Sequence, residues 1–183
     1  MNGNLLSTLW PQSQVAHKAV ILGLGVALLT LASKVQVPFW PVPMTLQVLA
    51  VLMIGATAGA RLGAATVLAW LALGAVGVPV FATGAGLAYM AGPTGGYLAG
   101  FLAAAAAVGY LADKGHGRTI VSALLMLLVG VAIIYALGLG WLANLIGAEK
   151  AVTAGLMPFI PAEVLKVALG TAILTAAWKQ AKR

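Results

Sequence analysis

The chain has 183 residues, of which 62% are hydrophobic and 7% charged, with no cysteine and a net charge of +7. So little charge excludes a water-soluble domain of this size, and the lack of cysteine excludes disulfides, thiol chemistry and Cys-based metal sites. The basic balance does not mark a nucleic-acid binder, because the Lys and Arg residues are scattered at the ends of apolar stretches instead of forming a cluster.

Residues 1–16 carry no Lys or Arg, so they lack the basic region that opens a signal peptide. Leu5, Leu6, Leu9 and Trp10, ahead of Pro11, read either as a short interfacial turn or helix or as a frayed tail. Six apolar segments follow, over residues 18–33, 44–58, 62–76, 94–112, 119–137 and 159–178. Lys34 and the proline-rich run Val37-Pro38-Phe39-Trp40-Pro41-Val42-Pro43 end the first. The second and third are shorter than the roughly 20 residues of a perpendicular crossing. Open strands cannot cross lipid, and the alternating polar residues of a barrel are absent. The expectation is an all-α membrane protein of six transmembrane helices, forming one domain over 1–183.

Charge asymmetry sets the expected orientation. Lys18, Arg61, Lys114, Arg118, Lys179, Lys182 and Arg183 fall on one side of such a bundle, and only Lys34 and Lys150 on the other. The positive side is the cytoplasmic side, so both termini are expected in the cytoplasm. Residues 59–61 and 113–118 then form short inner turns, and 34–43, 77–93 and 138–158 are the outer connections. The 77–93 connection is uncharged, contains Gly77, Gly84, Gly86 and Gly92, and reads as a long flexible lid or binding loop. In 138–158, Trp141, Leu142, Leu145 and Ile146 recur at helical spacing and predict a short helix lying over the outer face.

Enzyme signatures are missing. There is no GxxxxGK[ST] loop, and Gly92-Pro93-Thr94-Gly95-Gly96 lacks its lysine. Ser7, Ser13, Ser33 and Ser122 stand in no GxSxG context, and no HExxH or pair of intramembrane aspartates occurs. His17 and His116 flank helix ends and read as interfacial residues. No catalytic activity and no metal site are expected.

Glu163 and Lys166 are the exception to the charge pattern: they alone lie inside an apolar segment. A charge deep in a bilayer costs about 2.5–3.5 kcal/mol on insertion scales. The i, i+3 spacing places both on one helical face, within reach of each other. Thr45 and Gln47 near the start of the second segment, Tyr89 ahead of the fourth, and Thr94 and Tyr97 at its start fall at the same expected depth. These seven residues are the candidate ligand site, a mostly apolar pocket near the outer face with a few oriented polar groups. It suits a ligand with an apolar body and a hydrogen-bonding edge: a ligand carboxylate has Lys166 to meet, and N–H donors have Glu163. A second reading accounts for the pair without a ligand: Lys166 snorkels to the interface, and Glu163 complements the helix dipole. In the first segment Ala19, Gly23 and Ala27 form a stripe of small residues, suited to close helix packing within the protein or with a partner.

Four blocks in order carry a family resemblance: Val42-Pro43-Met44-Thr45-Leu46-Gln47, Gly77-Val78-Pro79-Val80-Phe81, Gly92-Pro93-Thr94-Gly95-Gly96-Tyr97 and Pro158-Phe159-Ile160-Pro161-Ala162-Glu163-Val164-Leu165-Lys166. With them the chain resembles the BioY family, the biotin-binding S components of energy-coupling factor (ECF) transporters, over about residues 37–169. The resemblance implies a six-helix protein of the cytoplasmic membrane of a prokaryote that captures biotin from outside. It implies a transmembrane coupling subunit and two cytoplasmic ATPases as partners, with biotin as the transported ligand and no cofactor. The family's acidic residue and lysine at the start of the sixth helix correspond to Glu163 and Lys166, although the family often has Asp where this chain has Glu163. The first-helix stripe of such proteins docks the coupling subunit, which gives Ala19, Gly23 and Ala27 that expected role. The alternative is a self-sufficient facilitator or secondary transporter for a small carboxylate-bearing ligand, with the charged pair as its gate.

Overall fold

The structure is a computed structural model that describes Leu5 and residues 15–181. Leu6, Leu9 and Trp10 of the expected N-terminal turn, and Lys182 and Arg183, lie outside the described residues; Leu5 is helical and buried. Helices dominate: α1 (Val15–Lys34), α2 (Gln47–Ala75), α3 (Gly86–Met90), α4 (Gly95–Asp113), α5 (Ile120–Ile146), α6 (Ala148–Gly155) and α7 (Ile160–Ala181). A short antiparallel pair, β1 (Gln36–Val37) and β2 (Met44–Thr45), sits between α1 and α2, with Gln36 opposite Thr45. A 3-10 turn at Met157–Phe159 leads into α7.

Among the described residues, five helical segments are long and apolar enough to cross a membrane. The second of them, Gln47–Ala75, is not one straight rod. Gly59 has φ 81° and ψ 177°, a conformation that a residue with a Cβ rarely adopts, and the chain folds back there. A Cβ on Gly63 would stand 3.1 Å from the Gly55 Cα, whereas eight residues along a continuous helix are about 12 Å apart. Residues 47–58 and 60–75 are therefore an antiparallel hairpin. Asp113 at the end of α4 closes the turn by accepting a hydrogen bond from the Ala60 N–H at 3.0 Å.

In lipid, helices gain little from hiding apolar surface and associate through close packing of small residues. The sequence supplies this: α4 packs along both arms of the α2 hairpin and along α5, while α7 packs on α5 and α2. Trp70, Leu52, Leu127, Ile134, Leu142 and Leu174 are fully buried in this core. By contrast α1 lies against α2 on one side only, and Val20, Leu24 and Leu31 are more than half exposed.

Two expected boundaries are corrected. The fifth segment was expected to end at residue 137, but α5 runs on to Ile146, so Trp141, Leu142, Leu145 and Ile146 continue it and do not form a separate helix over the outer face. Gly138 does not break the helix because it is a packing position: a Cβ there would fall 2.4 Å from the Tyr97 Cδ1 atom. The helix ends at Gly147, with φ 86°, and the short α6 follows. The 77–93 connection is likewise not a flexible loop. Phe81 is fully buried, packed edge-on against Trp70 at 4.9 Å and stacked on Tyr89 at 5.1 Å, and α3 forms within the connection.

The hairpin and the alternating helices place Lys34, the β1–β2 pair, the 76–94 connection and α6 at one end of the bundle. Arg61, Asp113, Lys114, Arg118 and Lys179 lie toward the other, where the Arg118 guanidinium rests 4.7 Å from the Trp178 ring centre.

Candidate functional site

The site is built at the first of these ends, where six parts of the chain converge. Pro161 sits in the first turn of α7, where its missing N–H has no helical partner to lose. Glu163 follows in that same turn, at the positive end of the helix dipole. Lys166 is one turn further, and its Nζ donates to Glu163 Oε1 at 2.7 Å. Both residues are buried, with 6% and 7% of their surface exposed, so neither reaches toward the interface and the snorkelling reading of Lys166 does not hold. Tyr135 of α5 donates its hydroxyl to the same Oε1 atom at 3.2 Å. Glu163 Oε2 is buried and has no partner among the described residues.

Opposite α7, the start of α2 brings a second polar group. The Gln47 N–H donates to Thr45 Oγ1 at 3.2 Å, and the Thr45 hydroxyl donates to Gln47 Oε1 at 3.1 Å. This closed loop at the helix start leaves Gln47 Nε2 buried without an acceptor among the described residues.

These groups line one cavity. Its polar wall is Thr45, Gln47, Tyr135, Glu163 and Lys166; Val42, Pro43, Val48, Phe81, Ala82, Leu98, Phe101 and Phe159 make the apolar remainder, with Tyr89, Thr94 and Tyr97 at the α3–α4 side. All seven residues singled out from the sequence therefore meet here. Thr94 precedes α4 but its side chain makes no capping bond. Tyr97 presents its ring and uses its hydroxyl to donate to the Gly155 carbonyl at 2.9 Å, which ties α6 over the site. A cavity with aromatic walls, one carboxylate, one ammonium and one amide suits a small molecule with an apolar body and both donors and acceptors. Among the described residues, no three His, Cys, Asp or Glu side chains come together as a metal would require.

Several positions that line or brace the cavity were not singled out from the sequence. Tyr135 is the foremost, and it left a signal: Ser122 and Tyr135 are the only hydroxyl-bearing residues within 120–137, and a hydroxyl deep in lipid needs a partner. Three polar residues from the end of α1 to the start of β1 hold the Phe81 wall by successive carbonyls. Ser33 Oγ donates to Val80 O at 2.9 Å, Lys34 Nζ to Phe81 O, and Gln36 Nε2 to Ala82 O at 3.3 Å. Nothing in their spacing announces a partner so distant in sequence.

The Ala19, Gly23 and Ala27 stripe is exposed along α1. Among the described residues, no atom outside its own helix backbone lies within 4 Å of the place a Gly23 Cβ would take.

Helical segments long and apolar enough to cross a membrane, with a buried charged pair beside a cavity, mark a multi-pass membrane protein. Comparison with known proteins narrows the class. The BioY family model matches residues 5–183, and the chain belongs to that family. It is 38% identical over 162 residues to the probable biotin transporter BioY of Pyrococcus horikoshii, covering 88% of this chain and 94% of the relative. The biotin transporter BioY of Rhizobium etli is 38% identical over 170 residues (85% and 88% covered), and that of Thermotoga maritima 36% identical over 153 residues (82% and 89% covered). The fold matches the crystal structure of the S-component for biotin from an ECF-type ABC transporter with a TM-score of 0.77 and 26% identity, over 92% of this chain and 95% of that one.

Proposed function

We propose that this chain is the biotin-binding S component of an ECF-type transporter, which captures the vitamin at the outer face of the cytoplasmic membrane of a prokaryote. Membership of the BioY family and the biotin transporters among its relatives support the reading. The observation that carries it is a pair of buried atoms without a partner among the described residues, the acceptor Glu163 Oε2 and the donor Gln47 Nε2, on two residues that line the cavity. An unpaired buried polar atom costs about 1–3 kcal/mol, so a cavity that keeps one of each sign favours a ligand that answers both. Biotin has the matching parts: a ureido ring with two N–H donors and a carbonyl acceptor, an apolar thiophane ring and chain, and a carboxylate. The ureido N–H groups suit Glu163, since a carboxylate set against a carboxylate repels.

In this reading the chain crosses the membrane six times, the two arms of the α2 hairpin counting separately, with both termini in the cytoplasm and the cavity toward the outside. The excess of Lys and Arg at the opposite end supports that orientation. The exposed stripe of Ala19, Gly23 and Ala27 docks a transmembrane coupling subunit, and two cytoplasmic ATPases drive release of biotin inward. The chain itself carries no enzymatic activity and needs no cofactor. The test is selectivity in a competition assay on the purified chain. Desthiobiotin, which keeps the ureido edge, displaces labelled biotin at far lower concentration than a fatty acid of similar length. Equal displacement by both contradicts the reading and marks a nonspecific apolar cavity.

A further inference from the structure

We infer that Tyr135 is a positioning residue of the site: it fixes the Glu163 carboxylate so that one oxygen is engaged by the protein and the other is presented to the ligand. Three observations converge on it. Both hydrogen bonds to Glu163 go to the same atom, Oε1, from Tyr135 at 3.2 Å and from Lys166 at 2.7 Å. Oε2 is buried, unpartnered and part of a residue that lines the cavity. The Tyr135 ring has little freedom to leave, being packed edge-on between Tyr97 at 5.8 Å and Phe159 at 6.4 Å.

A carboxylate held by Lys166 alone would pivot about that single contact, because a lysine ammonium is a rotatable point donor with no preferred plane. Lys166 and Glu163 share one helix, so their bond does not tie the carboxylate to the rest of the cavity. Tyr135 supplies a second donor from α5, across the gap between helices, and two donors on one oxygen leave the other as the acceptor. The same two residues also line an apolar groove between α5 and α7 on the outside of the bundle, with Leu124, Leu128, Val131 and Val164 among its other walls. The Tyr135–Glu163 bond therefore stands in the partition between the cavity and the lipid-facing surface. There is little water there to compete for it, and hydrogen bonds strengthen in such surroundings.

This rests on the proposed reading of the cavity as a biotin site, and the test separates the two. Infrared difference spectra between the parent and Glu163→Gln isolate the Glu163 carboxylate stretching band without any ligand. In Tyr135→Phe that band shifts, because one donor to Oε1 is lost. In Tyr97→Phe, which removes a hydroxyl bonded to Gly155 instead, it does not. In the same Tyr135→Phe preparation, at parental thermal stability, the Kd for biotin rises about tenfold, the scale of one hydrogen bond to a charged group. An unchanged band in Tyr135→Phe overturns the inference, and so does a shifted band with parental affinity. If the parent itself takes up no biotin, the biotin reading fails, and the infrared band alone then decides whether Tyr135 holds Glu163.

Discussion

Removing the Lys166 ammonium separates a ligand site from a merely structural ion pair. Glu163 and Lys166 are both buried and bonded at 2.7 Å. In Lys166→Met the carboxylate keeps only the Tyr135 hydroxyl on Oε1, and Oε2 remains unpartnered. Breaking a buried pair from one side costs about 3–5 kcal/mol of stability, whereas replacing both partners with apolar groups of similar size is often neutral or better. Lys166→Met is therefore expected to lower the unfolding temperature in detergent, and the double variant Glu163→Leu with Lys166→Met to recover it. Biotin binding behaves differently. Loss of a charge-assisted bond, at about 1.5–3 kcal/mol, weakens the single variant roughly tenfold to a hundredfold, and the double variant does not regain affinity. Calorimetric titration and thermal unfolding on the same preparations read both quantities. The reasoning is refuted if the double variant recovers affinity along with stability, or if Lys166→Met binds biotin as tightly as the parent at equal stability.

Other positions give independent checks. Gly23→Leu adds bulk where a Cβ meets nothing within 4 Å among the described residues, so the subunit is expected to fold and bind biotin normally while co-purification with the coupling subunit falls; loss of both would mean an internal packing role after all. Gly138→Ala sets a Cβ 2.4 Å from the Tyr97 ring, and the resulting strain of about 1–3 kcal/mol is expected to lower thermal stability and displace Tyr97 from the cavity wall, read as weaker biotin binding. Gln47→Met removes the unpartnered Nε2 donor at nearly constant volume, together with the Oε1 acceptor of the Thr45 hydroxyl; it should weaken biotin at least about fivefold and lower stability by about 1–3 kcal/mol through the orphaned Thr45 hydroxyl, read by titration and thermal unfolding.

Much of the bundle was legible because lipid imposes a strong rule on sequence. Uninterrupted apolar segments bounded by charge predicted α1, α4 and α7 to within a few residues, and the short turn at 59–61 marked the α2 hairpin. The seven candidate residues were found by a similar logic, since a polar side chain within or beside a membrane segment must have a reason to be there. They do meet around one cavity. Glycine was the main source of error. In water Gly138 and Gly140 would end a helix, but at a crowded membrane interface glycine admits a neighbour, as Gly138 admits Tyr97. The glycines of 77–93 suggested flexibility for the same reason, while Phe81, Tyr89 and the donors Ser33, Lys34 and Gln36 fix that segment. The hydrogen bonds from those three donors join residues more than 45 positions apart, and no local pattern encodes them.

The isolated chain is expected to bind biotin without its partners. Isothermal titration of the purified protein in detergent, without ATP, coupling subunit or ATPases, tests it most directly. The account predicts a saturable exchange of heat with one biotin bound per chain, lost or weakened at least tenfold in Lys166→Met. A well-folded preparation that takes up no biotin at micromolar ligand contradicts it.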